Sequence, residues 1–348
     1  MTNDSFAPLI GQQQAVELLT QAVKQNRVAP AYLFAGADGV GRSLAARCFV
    51  ELLFSSVIEM RLIPSLQQRL RQSNHPDLFW VQPTYQYQGQ RLTAAQAAEK
   101  NVKRKAPPVI RLEQIREITE FLSRPPLSAP RNVVVLEEAQ TMAEPAANAL
   151  LKTLEEPGQA TIILIAPSPE SILPTLVSRC QRIPFHRLDT TSLTQVLTQT
   201  GNQEILQHPA VLSLASGSPG NAIASYEQLQ AIPPELLQEL TTALKSQRHA
   251  LELAKKIDKD LDTEAQLWLV DYLQQSYWKN QHQPSLISQL EKTRKYLLAY
   301  AQPRLVWECT LLSVHQQLNL YERSSVSSLK CSNRFEKNRT QMNADERR

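Results

Sequence analysis

Residues 31–43, AYLFAGADGVGRS, limit the possible folds of this chain more than any other stretch. An apolar run that reads as a buried strand meets a glycine-rich turn, and RSLAARCFVELLF continues with the spacing of a helix. Strand, glycine loop and helix N-terminus together make a phosphate cradle. Backbone N–H groups wrap the anion, a lysine reaches the terminal phosphates, and a Ser or Thr hydroxyl holds magnesium. Gly36, Gly39 and Gly41 supply such a loop and Ser43 the hydroxyl. The cation is Arg42, and a planar guanidinium fork does not substitute simply for a compact ammonium.

The flanking sequence repeats the strand–helix alternation. Residues 12–26 put Ala15, Leu18, Leu19, Ala22 and Val23 on one helical face, and HPDLFWVQP (75–83) reads as a strand. VIRLEQIREITEFL (109–122) returns to helical spacing until PPLSAP breaks it. RNVVVLEEAQ and TIILIA are near-continuous apolar runs, as interior parallel strands require. Between them EPAANALLKTLEEP (144–157) is a helix with Pro145 in its first turn. QRIPFHRL is a further short strand. Residues 84–108 are polar, with repeated Gln and the run KRKAPP, and are expected to form a surface insertion or mobile loop.

Residues 1–187 therefore predict an α/β domain, a mostly parallel sheet with helices on both faces. After Leu188 the strand signals vanish. Residues 189–232 read as a small helical unit and 233–322 as an all-α domain, while the polar 323–348 is expected to be a disordered tail.

Two further sites could carry chemistry. Glu137 and Glu138 end an interior strand, the place where α/β sheets present ligand sites. An Asp is expected first in such a pair to hold magnesium. The longer Glu137 moves that carboxylate, and Mg²⁺ tolerates little departure from octahedral geometry. Arg179, in the tripeptide SRC, lies between a short helix and a strand, where it can project from the domain edge.

Composition removes other readings. Lys and Arg number 37 against 33 Asp and Glu, a net +4 too small to argue for nucleic-acid binding without a patch. The basic run Lys103, Arg104 and Lys105 is the one alternative DNA contact weighed, and no aromatics interleave with it for stacking. Cys48, Cys180, Cys309 and Cys331 make no C-x2-C pair, so no zinc is expected. No signal-peptide pattern and no long apolar run occur, and a cytoplasmic setting is expected.

LIGQ (9–12), the glycine loop, HPDL (75–78), NALLKTLEEP (148–157), LPTLVSRCQRIPF (173–185) and GSPGNA (217–222) occur in this order over about two thirds of the chain. The set resembles the clamp-loader branch of the AAA+ ATPases. That resemblance implies an AAA+ P-loop domain (1–187), a helical lid (188–232) and a helical collar (233–322). It also implies partners: tau/gamma-type motor subunits and delta in a pentameric ring, with the sliding clamp and primed DNA, and no membrane. In such rings the SRC arginine, here Arg179, completes the ATP site of a neighbour in trans. The resemblance further implies a hydroxyl sensor near the end of TIILIA, where Ala166 and Pro167 precede Ser168. It implies a nucleotide-reading lid arginine where Gly220 stands. With Arg42 and Glu137, these departures point to a subunit that holds ATP or ADP with magnesium weakly or statically, or not at all. The alternatives are hydrolysis at its own degenerate loop, or stand-alone DNA binding.

Overall fold

The computed structural model describes residues 4–56, 63–72, 74–100, 107–156, 158–242, 246–281 and 284–317. They group into two compact units. The first runs to Leu206 and includes Ala215–Asn221; the second joins Gln207–Leu214 to the described residues from Ala222 on.

The first unit opens with α1 (Gln13–Lys24), β1 (Ala31–Ala35), α2 (Arg42–Ser55), α3 (Ile63–Arg71) and β2 (Leu78–Val81). A hairpin, β3 (Tyr85–Tyr87) and β4 (Gln90–Leu92), then precedes α4 (Ala94–Glu99) and α5 (Leu112–Leu122). The sheet continues through β5 (Asn132–Leu136), α6 (Glu144–Glu155), β6 (Ala160–Ala166), α7 (Pro174–Val177) and β7 (Gln181–Pro184), and α8 (Thr190–Gln199) follows. The five-stranded sheet has the order β2-β5-β6-β1-β7, and every pairing in it is parallel. The expected mostly parallel α/β domain is what forms.

The strand order follows from the sequences. Every residue of β5 and β6 is buried, as their unbroken apolar runs demand of interior strands. The mixed LFWV and QRIP, each partly exposed, take the two edges. Helices cover both faces. Leu33, Val134, Leu136, Ile162 and Leu164 pack with Ile115, Ile118, Ala146 and Leu150 of α5 and α6. On the other face the rings of Tyr32 and Phe34 lie 5.2 and 6.4 Å from that of Phe49 on α2. Each such buried side chain contributes about 2 kcal/mol.

Within residues 84–108, those from 84 to 100 form the β3–β4 hairpin and α4, an insertion with its own secondary structure rather than a mobile loop. Gln88 and Gly89 have φ of 49° and 77°, both positive, as a two-residue turn matching strand twist requires. Thr93 and Gln96 then cap α4 reciprocally, Thr93 N–H to Gln96 Oε1 at 3.0 Å and Gln96 N–H to Thr93 Oγ1 at 3.3 Å. Lys103, Arg104 and Lys105 lie outside the described residues.

The second unit is helical, as expected beyond Leu188. It contains α9 (Pro209–Ala215) up to Leu214, most of α10 (Pro219–Ala231), then α11 (Pro234–Thr241), α12 (Gln247–Asp260), α13 (Thr263–Gln281), α14 (Pro284–Leu298) and a last helix over 303–317. One core joins Leu240, Leu253, Leu269, Leu290 and Trp307. Its polar members are satisfied: Trp307 Nε1 donates to Gln266 Oε1 at 2.9 Å, and Gln266 Nε2 to the Leu261 carbonyl at 2.9 Å. No helix among the described residues is long and apolar enough to cross a membrane.

Candidate nucleotide-type site

The glycine loop leaves the sheet between its central strands. Gly36 N–H donates to the Ala166 carbonyl at 3.3 Å, and a side chain at Gly36 would meet the Phe185 carbonyl oxygen at 2.4 Å. Gly39 and Gly41 have φ of 72° and 100°, so the chain curls back before α2 begins at Arg42. Such a curl presents successive N–H groups to one point. Among the described residues the N–H groups of Gly39, Val40 and Gly41 donate to no protein acceptor. Gln12, the last residue of LIGQ and 3% exposed, fixes the loop from behind. Its Nε2 reaches the carbonyls of Val40 (3.2 Å) and His186 (2.7 Å), and its Oε1 accepts from His186 N–H (3.1 Å).

Arg42 does not extend freely over this loop. It is 8% exposed, its Nη2 pairs with Asp38, and its Nη1 is buried without a partner. Asp38 escapes notice in the sequence, although the i,i+4 spacing to Arg42 is a visible signal. The loop's carbonyl side is covered by the GSPGNA segment. Ser218 Oγ donates to the Asp38 carbonyl at 2.7 Å, and Gly220 N–H to that of Gly39 at 3.0 Å. A side chain at Gly220 would lie 2.6 Å from Gly39 Cα. A glycine at position 220 thus has a steric reason: two backbones meet there.

The carboxylates gather at the same end of the sheet. Glu137 N–H donates to the Val81 carbonyl at 2.9 Å, and its carboxylate accepts from Gln82 Nε2 at 2.6 Å. Glu138 has φ of 48°. Partial burial, then the charges of Asp38 and Glu137, push its carboxyl above the usual range against the pull of Arg42. The structure therefore brings Arg42, Glu138 and Asp38 into one electrostatic neighbourhood. Ser43 follows Arg42 in the first turn of α2, half-buried. Ser168 lies after β6 with its carbonyl occupied by Ser171 Oγ at 2.6 Å.

These residues fit an anion better than a magnesium–triphosphate group. The free N–H groups and Arg42 Nη1 can hold a phosphate, but Arg42 is already shared with Asp38. One Glu137 oxygen accepts from Gln82 Nε2, and burial with the charges of Asp38 and Glu137 holds the Glu138 carboxyl above its usual value. A bound nucleotide would set its phosphates against the N–H groups of Gly39, Val40 and Gly41 and against Arg42.

Arg179 sits apart from this group. It follows α7, donates from Nη1 to the Thr175 carbonyl at 3.1 Å and from Nη2 to Glu155 at 2.8 Å, and its side chain is 39% exposed. Tyr32 pairs with Gln181, so Arg179 lies by the N-terminal end of β1 while the glycine loop leaves the C-terminal end. The offset is about six residues, roughly 20 Å of strand. Arg179 is out of reach of its own loop. Burial raises the neighbouring Cys180 thiol to about 11, leaving it neutral and inert.

Two family models match the chain. The model described as DNA polymerase III, delta subunit, matches residues 11–189, and that of the cyanobacterial DNA polymerase III delta prime, C-terminal domain, matches 191–314. The chain belongs to the DNA polymerase III delta-prime family. It is 30% identical over 204 residues to the delta-prime subunit of Bacillus subtilis, covering 58% of this chain and 54% of that one. It is 35% identical over 172 residues to that of Pseudomonas aeruginosa, 48% and 46% of the two chains. The chain thus spans about half the length of these curated relatives. The crystal structure of a DNA polymerase III gamma subunit-related protein from Thermotoga maritima shares the fold. Its TM-score is 0.51 at 16% identity, over 87% of this chain and 99% of that one.

Proposed function

We propose that this delta-prime-family chain is a clamp-loader subunit that hydrolyses no ATP at its own loop and completes the ATP site of a neighbour with Arg179. In this reading residues 188–232 act as the lid and 233–322 as the collar. The partners are tau/gamma-type motor subunits and delta in a pentameric cytoplasmic ring, which loads a sliding clamp on primed DNA. The observation that carries the reading is the separation of its two arginines. Arg42 is buried against Asp38, while Arg179 is exposed at the opposite end of the sheet.

Arg179's chemistry is electrostatic. Charge develops on phosphoryl oxygens during transfer, and a guanidinium fork delivered from outside neutralises it with donors already oriented. Glu155 and Thr175 hold that fork in place, and the surface pair is weak enough to exchange for a phosphate. The test is reconstitution with the motor subunits, delta, clamp and primed DNA. Arg179→Ala is expected to leave the ring assembled and lower its ATPase and clamp loading at least about a hundredfold at the dependent site. Unchanged turnover refutes the role of Arg179.

A second reading is favoured by the free N–H groups of the loop and the unpaired Nη1 of Arg42: the chain retains a nucleotide as a static ligand. Fluorescent ADP binding that is lost in Arg42→Ala, without turnover by the isolated chain, supports it. Turnover that Arg42→Ala abolishes would instead establish hydrolysis at this loop.

A further inference from the structure

The C-terminal half of α14 and its exit set two exposed tyrosines among lysines, in the run KTRKYLLAY (292–300). Ser285, Ser288, Lys292, Lys295 and Tyr296 are all exposed and recur at helical spacing, so they share one face. That face is turned away from the buried Leu286, Leu290, Thr293 and Leu297. The side towards α13 is already occupied: Arg294 pairs with Asp271, and Glu291 accepts from Gln274 Nε2 at 3.3 Å. Lys292 and Lys295 pair with no carboxylate among the described residues.

The helix ends in a closed turn. Tyr300 N–H donates to the Leu297 carbonyl at 3.1 Å and Ala301 N–H to that of Tyr296 at 3.0 Å. This closure needs a left-handed residue at position 300, where glycine or asparagine is usual. Here it is Tyr300, with φ of 57°; the other left-handed non-glycine residues described are Asn26, Gln88, Glu138 and Ser216. A bulky side chain is strained in that conformation. The fold recovers little from it, because Tyr300 is 60% exposed. Tyr296, one turn back, is 57% exposed. A strained residue that keeps an exposed ring points to a partner outside the fold.

Chemistry selects the partner. From Lys292 to Trp307 the chain holds no carboxylate. Arg304 pairs with Glu308, which leaves Lys292 and Lys295 as the available charges. Two ammonium groups and two open rings on one short run match a polyanion that also offers flat apolar faces. An acidic peptide would satisfy the lysines and leave the rings wet. We propose that Lys292, Lys295, Tyr296 and Tyr300 form a platform for single-stranded nucleic acid, the lysines meeting phosphates while bases stack on the two rings. The platform lies wholly in the second unit and depends neither on Arg179 nor on the glycine loop.

The test is fluorescence anisotropy of a labelled oligothymidylate of about 16 nucleotides, titrated with the isolated full chain at several salt concentrations. Tyr296→Leu and Tyr300→Leu are each expected to weaken binding at least about fivefold at an unchanged Tm. Tyr300→Gly is expected to weaken it equally while Tm holds or rises, since glycine takes the left-handed turn without strain. The double variant Lys292→Gln, Lys295→Gln is expected to lower the slope of log affinity against log salt by about 1.4. If a variant lowers Tm, photocrosslinking of the wild-type chain to an iodouracil-substituted oligonucleotide, read by peptide mass, decides the matter: adducts are expected on Tyr296 and Tyr300. Wild-type affinity in both leucine variants, adducts confined to other segments, or a blunt duplex of the same length bound as tightly overturns the proposal. So does a Tyr296→Leu chain that binds the oligonucleotide as wild type but fails to join the tau/gamma-type subunit and delta, which would mark a protein surface. Oligonucleotide binding that survives in Arg179→Ala, whatever that variant does to ring ATPase, keeps this site separate from the arginine's role.

Discussion

Asp77 shows how a single residue can carry a loop. Burial by itself would raise its carboxyl, but the N–H groups of Leu127, Ser128 and Ala129 and the Ser128 hydroxyl outweigh it and hold the carboxyl below its usual value. A carboxyl depressed in the folded state adds stability above its unfolded pKa, and that stability is lost as pH falls through the folded value. Asp77→Asn is therefore expected to cost about 2 kcal/mol at pH 7 and to flatten the acid limb of the stability curve below about pH 4. Urea midpoints at several pH values check both. The HPDL motif is visible in the sequence, but its partner loop lies fifty residues on. The capture of Arg42 by Asp38 was open to a spacing argument; the burial that leaves Nη1 unpaired was not.

At the level of elements, the strands were legible because VVVL and TIILIA allow little but an interior position. The hairpin was not, because its alternation uses Tyr and Gln, which read as polar when counted by composition. Gln88-Gly89 was the overlooked signal. The glycines of the two turns make opposite predictions. A side chain at Gly89 meets nothing within 4 Å, so Gly89→Ala costs only the left-handed backbone, about 1 kcal/mol. At Gly220 the obstacle is the backbone of Gly39, 2.6 Å away. Gly220→Ala is expected to cost about 1–3 kcal/mol and to part residues 218–221 from the glycine loop. Thermal melts rank the two, and amide exchange at Gly220 reports whether the contact with the Gly39 carbonyl survives.

For the whole molecule, the first unit offers two ends with different chemistry: the glycine loop with its carboxylates, and the end that carries Arg179. If both act, the isolated chain is expected to show no ATPase while an assembled ring depends on it, and steady-state turnover with and without this subunit measures that dependence. Asp38 and Gly220 carry a consequence for how the loop keeps its shape. The Asp38 carboxylate takes the Arg42 guanidinium, while the Asp38 and Gly39 carbonyls are tied to Ser218 Oγ and Gly220 N–H. The curl is thus set by the protein's own contacts, and its form is expected to be the same whether or not an anion fills it.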